Sequence, residues 1–540
     1  MSTNGLSSSM SSTSTMAADN NTNTSPNSAF VAGSTAPQPD PAPTIVGDGD
    51  GDGEGGMMNE KEDGRSYQQQ QQQQQQRPSQ QTAGYAPAAG SVSGSTDHGP
   101  GGDQMSKAEQ GGAKPKLQKF KYSFLSPEIA HLRGIAIKIF MGTLVIMITV
   151  VWLCLPLYWG SLWKSNKYTD RLTVRVIDRD GSDVGSAVSQ SLLAQTDLRY
   201  FVTSPAELPT SDAVAHDIVQ EGAWAAIVIN SGATALLNTA RQVGNASYDG
   251  RGAIEVFYAQ ARQETAVNSY LVPYIQAELS AVCNQFNARS VSQYLGANTN
   301  NATAISLLAT APATVVNPVW YTMNDLRPYN QPVAQAITLV GLIYMLILSF
   351  IITMTNNAVR EIIGPFMTTG AYVIYRIAAP LILYLPVSFF FAMINLPFKI
   401  HFGAHFTYAG GFFLWWFTLY LGMAAVGLST EFAITILSPR FVAFFLIPLI
   451  IVNVSVASLP HELQPWIYKY GAAMPFYNCG RVVRTIIFDT KDDIGKNLGI
   501  LLAWVVVNMI TLTLATIWFR REAINQHNKE VGENEMDLKE

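Results

Sequence analysis

Read by hydropathy, the chain divides into a long polar opening followed by uncharged apolar runs. The first run extends from Ile135 to Trp159, with only Lys138 near its start. Later runs cover 334–357, 374–398, 409–430, 441–459 and 497–519. Each is close to the roughly 20 residues that a helix needs to cross the hydrocarbon core, so the pattern predicts about six transmembrane helices. Between the first two runs the rhythm changes. Leu172 to Asp178 alternates apolar with polar, Ala223 to Ile229 is a short apolar stretch, and Ile254 to Tyr258 reads as a third strand. Helical patterns at Ala187 to Leu193 and Val214 to Val219 separate the first two strands. A longer helix is expected over Val267 to Leu295, where Leu271, Ile275, Leu279, Val282 and Phe286 recur at spacings of three and four. It would pack on the sheet or on a second copy.

The expected architecture is therefore an all-α polytopic membrane bundle with an inserted extracellular α/β or α+β domain and a disordered N-terminal head. Its parts are a cytoplasmic low-complexity head (1–120), the first span with its basic flank (121–165), the extracellular domain (166–330), a five-helix region (331–521) and a cytoplasmic tail (522–540). The head contains a Gly-Asp run from Gly47 to Gly53 and an unbroken Gln68 to Gln76 tract. Such a segment cannot bury enough apolar surface to offset the entropy of ordering it. It lacks the basic start and apolar stretch of a secretory signal.

Orientation follows the cations. Lys114, Lys116, Lys119, Lys121 and Arg133 precede the first run and hold the amino end in the cytoplasm. Six crossings return the tail to that side, where Arg520 and Arg521 sit just past the last run. The joints with Arg360, Arg376 and Arg440 then fall inside and the joint with His401 and His405 outside. The loop 460–495 is also placed outside, although Lys469, Arg481, Arg484, Lys491 and Lys496 run against the usual bias. Trp152, Trp159, Trp163, Trp415 and Trp416 read mainly as interfacial anchors. Pro380, Pro386 and Pro448 interrupt apolar runs and predict kinks.

Charged residues make up only 14% of the chain, well below the soluble norm of about 25%, as expected where lipid replaces water. The net charge of −5 says little about partners, since much of the acidity lies in the head and tail. Three cysteines cannot build a disulfide framework, although Cys283 and Cys479 could form one bridge. No phosphate cradle, nucleophile elbow or His-Glu-x-x-His motif is present, so no catalytic residues, no cofactor and no enzymatic activity are expected. His401 and His405 have helical ligand spacing but no evident third ligand, and no metal site is expected.

Ionisable groups near the membrane are the better clues, because burying a charge is costly unless it is paired or hydrated. Arg360 and Glu361 follow the second run, Arg376 opens the third and Glu431 closes the fourth. Together with Asn356 and Asn357 they are candidates for a gate or partner-docking surface. The plainer reading is snorkelling or mutual pairing. Asn395, Asn453 and Asn508 read as hydrogen bonds between helices. Asn245-Ala246-Ser247 and Asn301-Ala302-Thr303 are candidate N-glycosylation sites.

The stretch Trp152-Leu153-Cys154-Leu155-Pro156-Leu157-Tyr158-Trp159-Gly160-Ser161-Leu162-Trp163, the strand Val174 to Asp178 and the segment Glu221 to Ile229 resemble the fungal nitrosoguanidine-resistance membrane protein family. So do Met474-Pro475-Phe476-Tyr477-Asn478, Arg481, and Arg484-Thr485-Ile486-Ile487-Phe488. The resemblance runs from about Lys121 to Arg521. It implies a divergent relative of type 2 permeases of ATP-binding-cassette exporters. Arg360-Glu361-Ile362-Ile363-Gly364-Pro365 would then begin a connection able to dock a separate ATPase subunit. It also implies a homodimer and an external re-entrant loop carrying Arg481 and Arg484. The implied function is a plasma-membrane permease-like protein contributing to export of, or resistance to, toxic amphiphiles, or to phospholipid distribution. Membrane lipids are the expected partners, and nucleic acid is not. The competing expectation is a non-transporting scaffold or sensor with an extracellular binding domain.

Overall fold

A computed structural model describes residues 121–537. The polar head, its glutamine tract and the flanking Lys114, Lys116 and Lys119 lie outside the described residues.

Among the described residues five helices are long and apolar enough to cross a membrane: Pro127–Lys167, Ala336–Phe366, Thr369–Met393, Tyr408–Ala457 and Ile494–Gly532. Their α-helical parts are α1 (Ala130–Leu162), α7 (Gly341–Ile363), α8 (Thr369–Met393), α9 (Tyr408–Ala457) and α11 (Ile494–Asp537). Helix α9 holds 50 residues, which would stretch about 75 Å if straight, more than twice a hydrocarbon core. It is not straight. Ser438 has a positive φ of 64° and Pro439 follows it, removing one backbone donor. The two arms fold back on each other, as their shared neighbour proves. A Cβ on Gly422 would lie 3.0 Å from Cys479 Sγ, while Phe476 N donates to Asn453 Oδ1 at 3.2 Å. Phe476 and Cys479 are one turn apart on α10 (Pro475–Phe488). On an unbroken helix Gly422 and Asn453 would stand about 46 Å apart. The runs predicted at 409–430 and 441–459 are thus the arms of one hairpin.

Helix α9 is the hub against which α1, α7, α8, α10 and α11 all pack. Helix α1 is peripheral: only Cys154 and Ser161 are buried. It is fixed near its end by Tyr468 Oη, which donates to Leu157 O at 2.7 Å. Gly160 allows that approach, since a Cβ there would meet the same hydroxyl at 2.5 Å.

The inserted domain carries five strands, β1 (Thr173–Asp178), β2 (Arg199–Val202), β3 (Ala225–Ile229), β4 (Ile254–Tyr258) and β5 (Tyr321–Asp325), in the order β2-β1-β3-β4-β5. All neighbours are parallel except β3 with β4. Side chains alternate across the sheet. Val174 and Val176 face α2 (Asp183–Leu193), α4 (Ala233–Val243) and α5 (Val272–Ala297), while Ile177 and Val228 face α3 (Ser211–Val219). Leu271, Ile275, Leu279 and Val282 lie in the first of these cores, so the predicted long helix packs on the sheet. Central β3 is buried at every position and therefore reads as an unbroken apolar run. Strands β2 and β5 lie at the sheet edges and carry weak strand signals: β2 is only four residues long with both ends exposed, and β5 is half-covered and rich in polar residues.

Several expectations need correction. Trp415 is a core residue, 2% exposed, rather than an anchor. Helix α8 begins and ends about five residues before its apolar run, because Thr368 caps it through Ala371 N. It stays helical through Pro380 and Pro386, and the break falls at Ser438 instead. All three cysteines are free, with Cys283 in the domain core and Cys479 in the helix-bundle core. The segment 522–537, on whose secondary structure no expectation was stated, continues α11.

Candidate functional site

One face of α7 turns polar as it leaves the domain. Leu342, Met345 and Leu346 are buried first, and then Ser349, Thr353, Asn356 and Arg360 follow at spacings of four, three and four. That spacing keeps them on one side of the helix. The facing helices answer in kind. Thr353 Oγ1 lies 2.8 Å from Thr430 Oγ1, and Asn508 Nδ2 donates to Ala425 O and Ser429 Oγ, each at 2.9 Å. Bonds of this kind satisfy groups that would otherwise be orphaned away from water.

The track ends in a charge cluster. Glu431 on α9 is fully buried. Its carboxylate accepts from Asn356 Nδ2 at 2.9 Å and from Arg360, and it lies 3.4 Å from Arg376 Nη2. Arg376 Nη2 also donates to Glu431 O at 3.0 Å and Thr435 Oγ1 at 2.6 Å, and its Nη1 donates to Thr516 Oγ1 at 3.0 Å. Arg360 Nη2 donates to Asn357 Oδ1 at 3.0 Å, and Asn357 Nδ2 donates to Glu361 at the same distance. Of the sequence candidates, Asn356, Arg360, Arg376 and Glu431 meet directly. Asn357 joins through Arg360, and Glu361 stands exposed at the rim. Two guanidinium groups share one buried carboxylate. Mutual pairing, the plainer expectation, is the arrangement found, but it leaves positive charge in excess.

A cavity of about 340 Å³ opens beside the cluster. Arg360, Arg376 and Arg520 line it, with Tyr372, Thr435 and Thr516. Arg520, read only as a topological marker, crosses from α11 to donate to Gly364 O at 2.8 Å and Met367 O at 2.9 Å. Nothing local in its sequence placed it there; the only signal was a cation directly after an apolar run.

At the other end of α7, the domain is seated on the helices by ion pairs. Arg481 bridges Glu221 at 2.9 Å and Asp493 at 3.2 Å, while Arg484 pairs with Glu264 and Arg327 with Asp489. Within the cationic loop that ran against the usual bias, Arg481 and Arg484 thus meet the domain carboxylates Glu221 and Glu264, and Lys491 lies 3.5 Å from Asp493 of the loop itself. Burial pushes the Glu264 carboxyl up, but the Arg484 guanidinium outweighs it and holds the group below its ordinary range. Arg262 lies 3.7 Å over the Trp224 ring and near Glu221 and Glu462. Its pKa is lowered by burial, with those carboxylates opposing. A second cavity, about 140 Å³, lies here, lined by Trp224, Arg262, His461, Arg481 and Arg484 among others.

His401 and His405 do not converge: His401 N donates to Gln331, whereas His405 meets Asp489. Among the described residues no group of three or more His, Cys, Asp or Glu side chains could hold a metal ion. Asn245 and Asn301 are both exposed on the inserted domain. Asn301 Oδ1 also caps α6 (Ala302–Thr310) through Ala304 N.

A family profile described as "Protein of unknown function (DUF3533)" matches residues 143–510. An uncharacterized endoplasmic reticulum membrane protein of Saccharomyces cerevisiae is 26% identical over 434 residues, covering 72% of this chain and 82% of the relative. No solved structure matches significantly.

Proposed function

The chain belongs to that family of unknown function, and on this premise we propose that it is a multi-pass, permease-like protein acting on amphiphiles or phospholipids. In this reading six crossings leave both termini in the cytoplasm and the α/β domain outside. The protein contributes to export of toxic amphiphiles or to lipid distribution, as the likeness to nitrosoguanidine-resistance proteins and type 2 permeases suggests. The observation that carries it is the buried polar track ending in Arg360, Glu431 and Arg376 beside a cavity. A bundle needing only stability would gain little from such a cluster, because replacing buried ion pairs with apolar packing is often neutral or stabilising.

Action at the plasma membrane, as a homodimer and with a separate ATPase, belongs to the same reading. The yeast relative's name places that relative in the endoplasmic reticulum, so location is part of the test. The test is reconstitution of purified full-length protein in liposomes, followed by measurement of labelled phospholipid and dye flux. Flux in wild type that falls in Glu431→Gln protein still eluting as folded material supports the reading. Silence from folded protein, with and without co-purified ATPase, would overturn it in favour of a scaffold or sensor.

A further inference from the structure

We infer that the cavity beside Arg360, Arg376 and Arg520 is a binding site for a phosphate-bearing anion. Charge is the first argument. Three guanidinium groups line the space, and the fully buried carboxylate within reach, Glu431, is already shared by two of them. Glu361 also lines the space, with an exposed carboxylate that takes a hydrogen bond from Asn357, which leaves three lining guanidinium groups against one lining carboxylate and the shared Glu431. Arg520 has no carboxylate partner among the described residues; its contacts are two backbone carbonyls and the Tyr372 ring, 4.8 Å away.

Burial of the cations is the second argument. The Nε atoms of Arg376 and Arg520 lie out of solvent contact without a hydrogen-bond partner among the described residues, and Arg376 as a whole is only 4% exposed, so the positive charge around the space is only partly satisfied by the protein's own groups. Leaving a charged donor unsatisfied is costly. Several forked cations converging from α7, α8 and α11 suit an anion with oxygens pointing in different directions, as phosphate has, better than a planar carboxylate that one arginine could hold.

Two sources share this chemistry: a lipid headgroup and a soluble phosphate ester. The neighbourhood accommodates acyl chains, since Phe519 lines the cavity and Ile362 and Phe366 nearby are strongly exposed. Binding requires no flux, so the inference stands or falls separately from the transport reading.

The test measures binding to full-length protein in detergent by native mass spectrometry and thermophoresis. The probes are inorganic phosphate, dioctanoyl phosphatidate and dioctanoyl glycerol. Phosphatidate should bind and weaken by at least about tenfold in both Arg376→Gln and Arg520→Gln, as expected for loss of a charge-assisted contact. If Arg376→Gln does not fold, Arg520→Gln carries the test, since its side chain supports no buried ion pair. Phosphatidate bound without inorganic phosphate identifies a lipid headgroup; both bound and both weakened identifies a soluble ester. Failure of both anions to bind, equal binding of dioctanoyl glycerol, or affinities unchanged in Arg520→Gln would overturn the inference.

Discussion

Arg376 on α8 meets Glu431 on α9 twice, donating to its backbone carbonyl at 3.0 Å and approaching its carboxylate at 3.4 Å. Arg360 takes the same carboxylate from α7, so one acidic residue ties three helices together. Replacing Glu431 with Gln leaves two buried cations unbalanced and should cost on the order of 3–5 kcal/mol. Thermal unfolding of detergent-purified protein, monitored by size-exclusion yield, checks this. Unchanged stability would mean that the cluster is hydrated.

The seam between domain and helices depends on Arg484 and Glu264, both mostly buried. Arg484→Met strands the carboxylate and should destabilise the seam by about 3 kcal/mol. Limited proteolysis should then cut faster within 466–473. The double variant with Glu264→Gln should recover part of the loss, because neither partner is left charged alone.

His461 gives this seam a pH dependence. Burial lowers its pKa below 6.5, opposed by neighbouring Glu462 and reinforced by Arg481 and Lys469. The unfolded chain therefore takes up the proton first, so the contribution is complete above pH 6.5 and erodes as pH falls toward the lowered folded value. Titration from pH 7.5 to 5.5 should reduce the melting temperature more in wild type than in His461→Phe. Equal slopes would rule the histidine out.

Gly411 sits where the chain before α9 turns back on the helix. A Cβ there would lie 2.0 Å from Phe402 O, a backbone atom that cannot swing aside. Gly411→Ala should cost about 1–3 kcal/mol as overpacking. Gly499→Ala, inside α11 with nothing within 4 Å, is the control and should equal or slightly exceed wild type in folded yield and melting temperature, because alanine favours a helix interior over glycine.

Asn245 and Asn301 test the orientation. Both are exposed, and a glycan on Asn301 Nδ2 leaves Oδ1 free to cap α6. Asn245→Gln and Asn301→Gln should each remove one endoglycosidase-sensitive band shift. Protein that shifts in neither case, with terminal tags accessible on intact cells, would reverse the assignment.

Much of the fold was legible because it rests on local patterning. Six apolar runs are helical in the structure, and β1, β3 and β4 fall within a few residues of their predicted places. The candidate site was legible only as parts. A charge beside an apolar run signals expense wherever it stands, which is why Arg360, Arg376 and Glu431 stood out. Arg520 did not, because a cation just after a final span is ordinary.

Sequence by itself determined which segments are apolar, which alternate and where charge is out of place, since hydropathy and helical or strand period are properties of neighbours in the chain. Tertiary structure alone decided which charges meet. Arg360 and Glu431 are 71 residues apart and Arg484 and Glu264 are 220 apart, so their pairing depends on how the helices cross and where the domain sits. The fold-back at Ser438 belongs to the same class. It is held by contacts of both α9 arms with α10, and packing energy of that kind exists only once distant segments have come together.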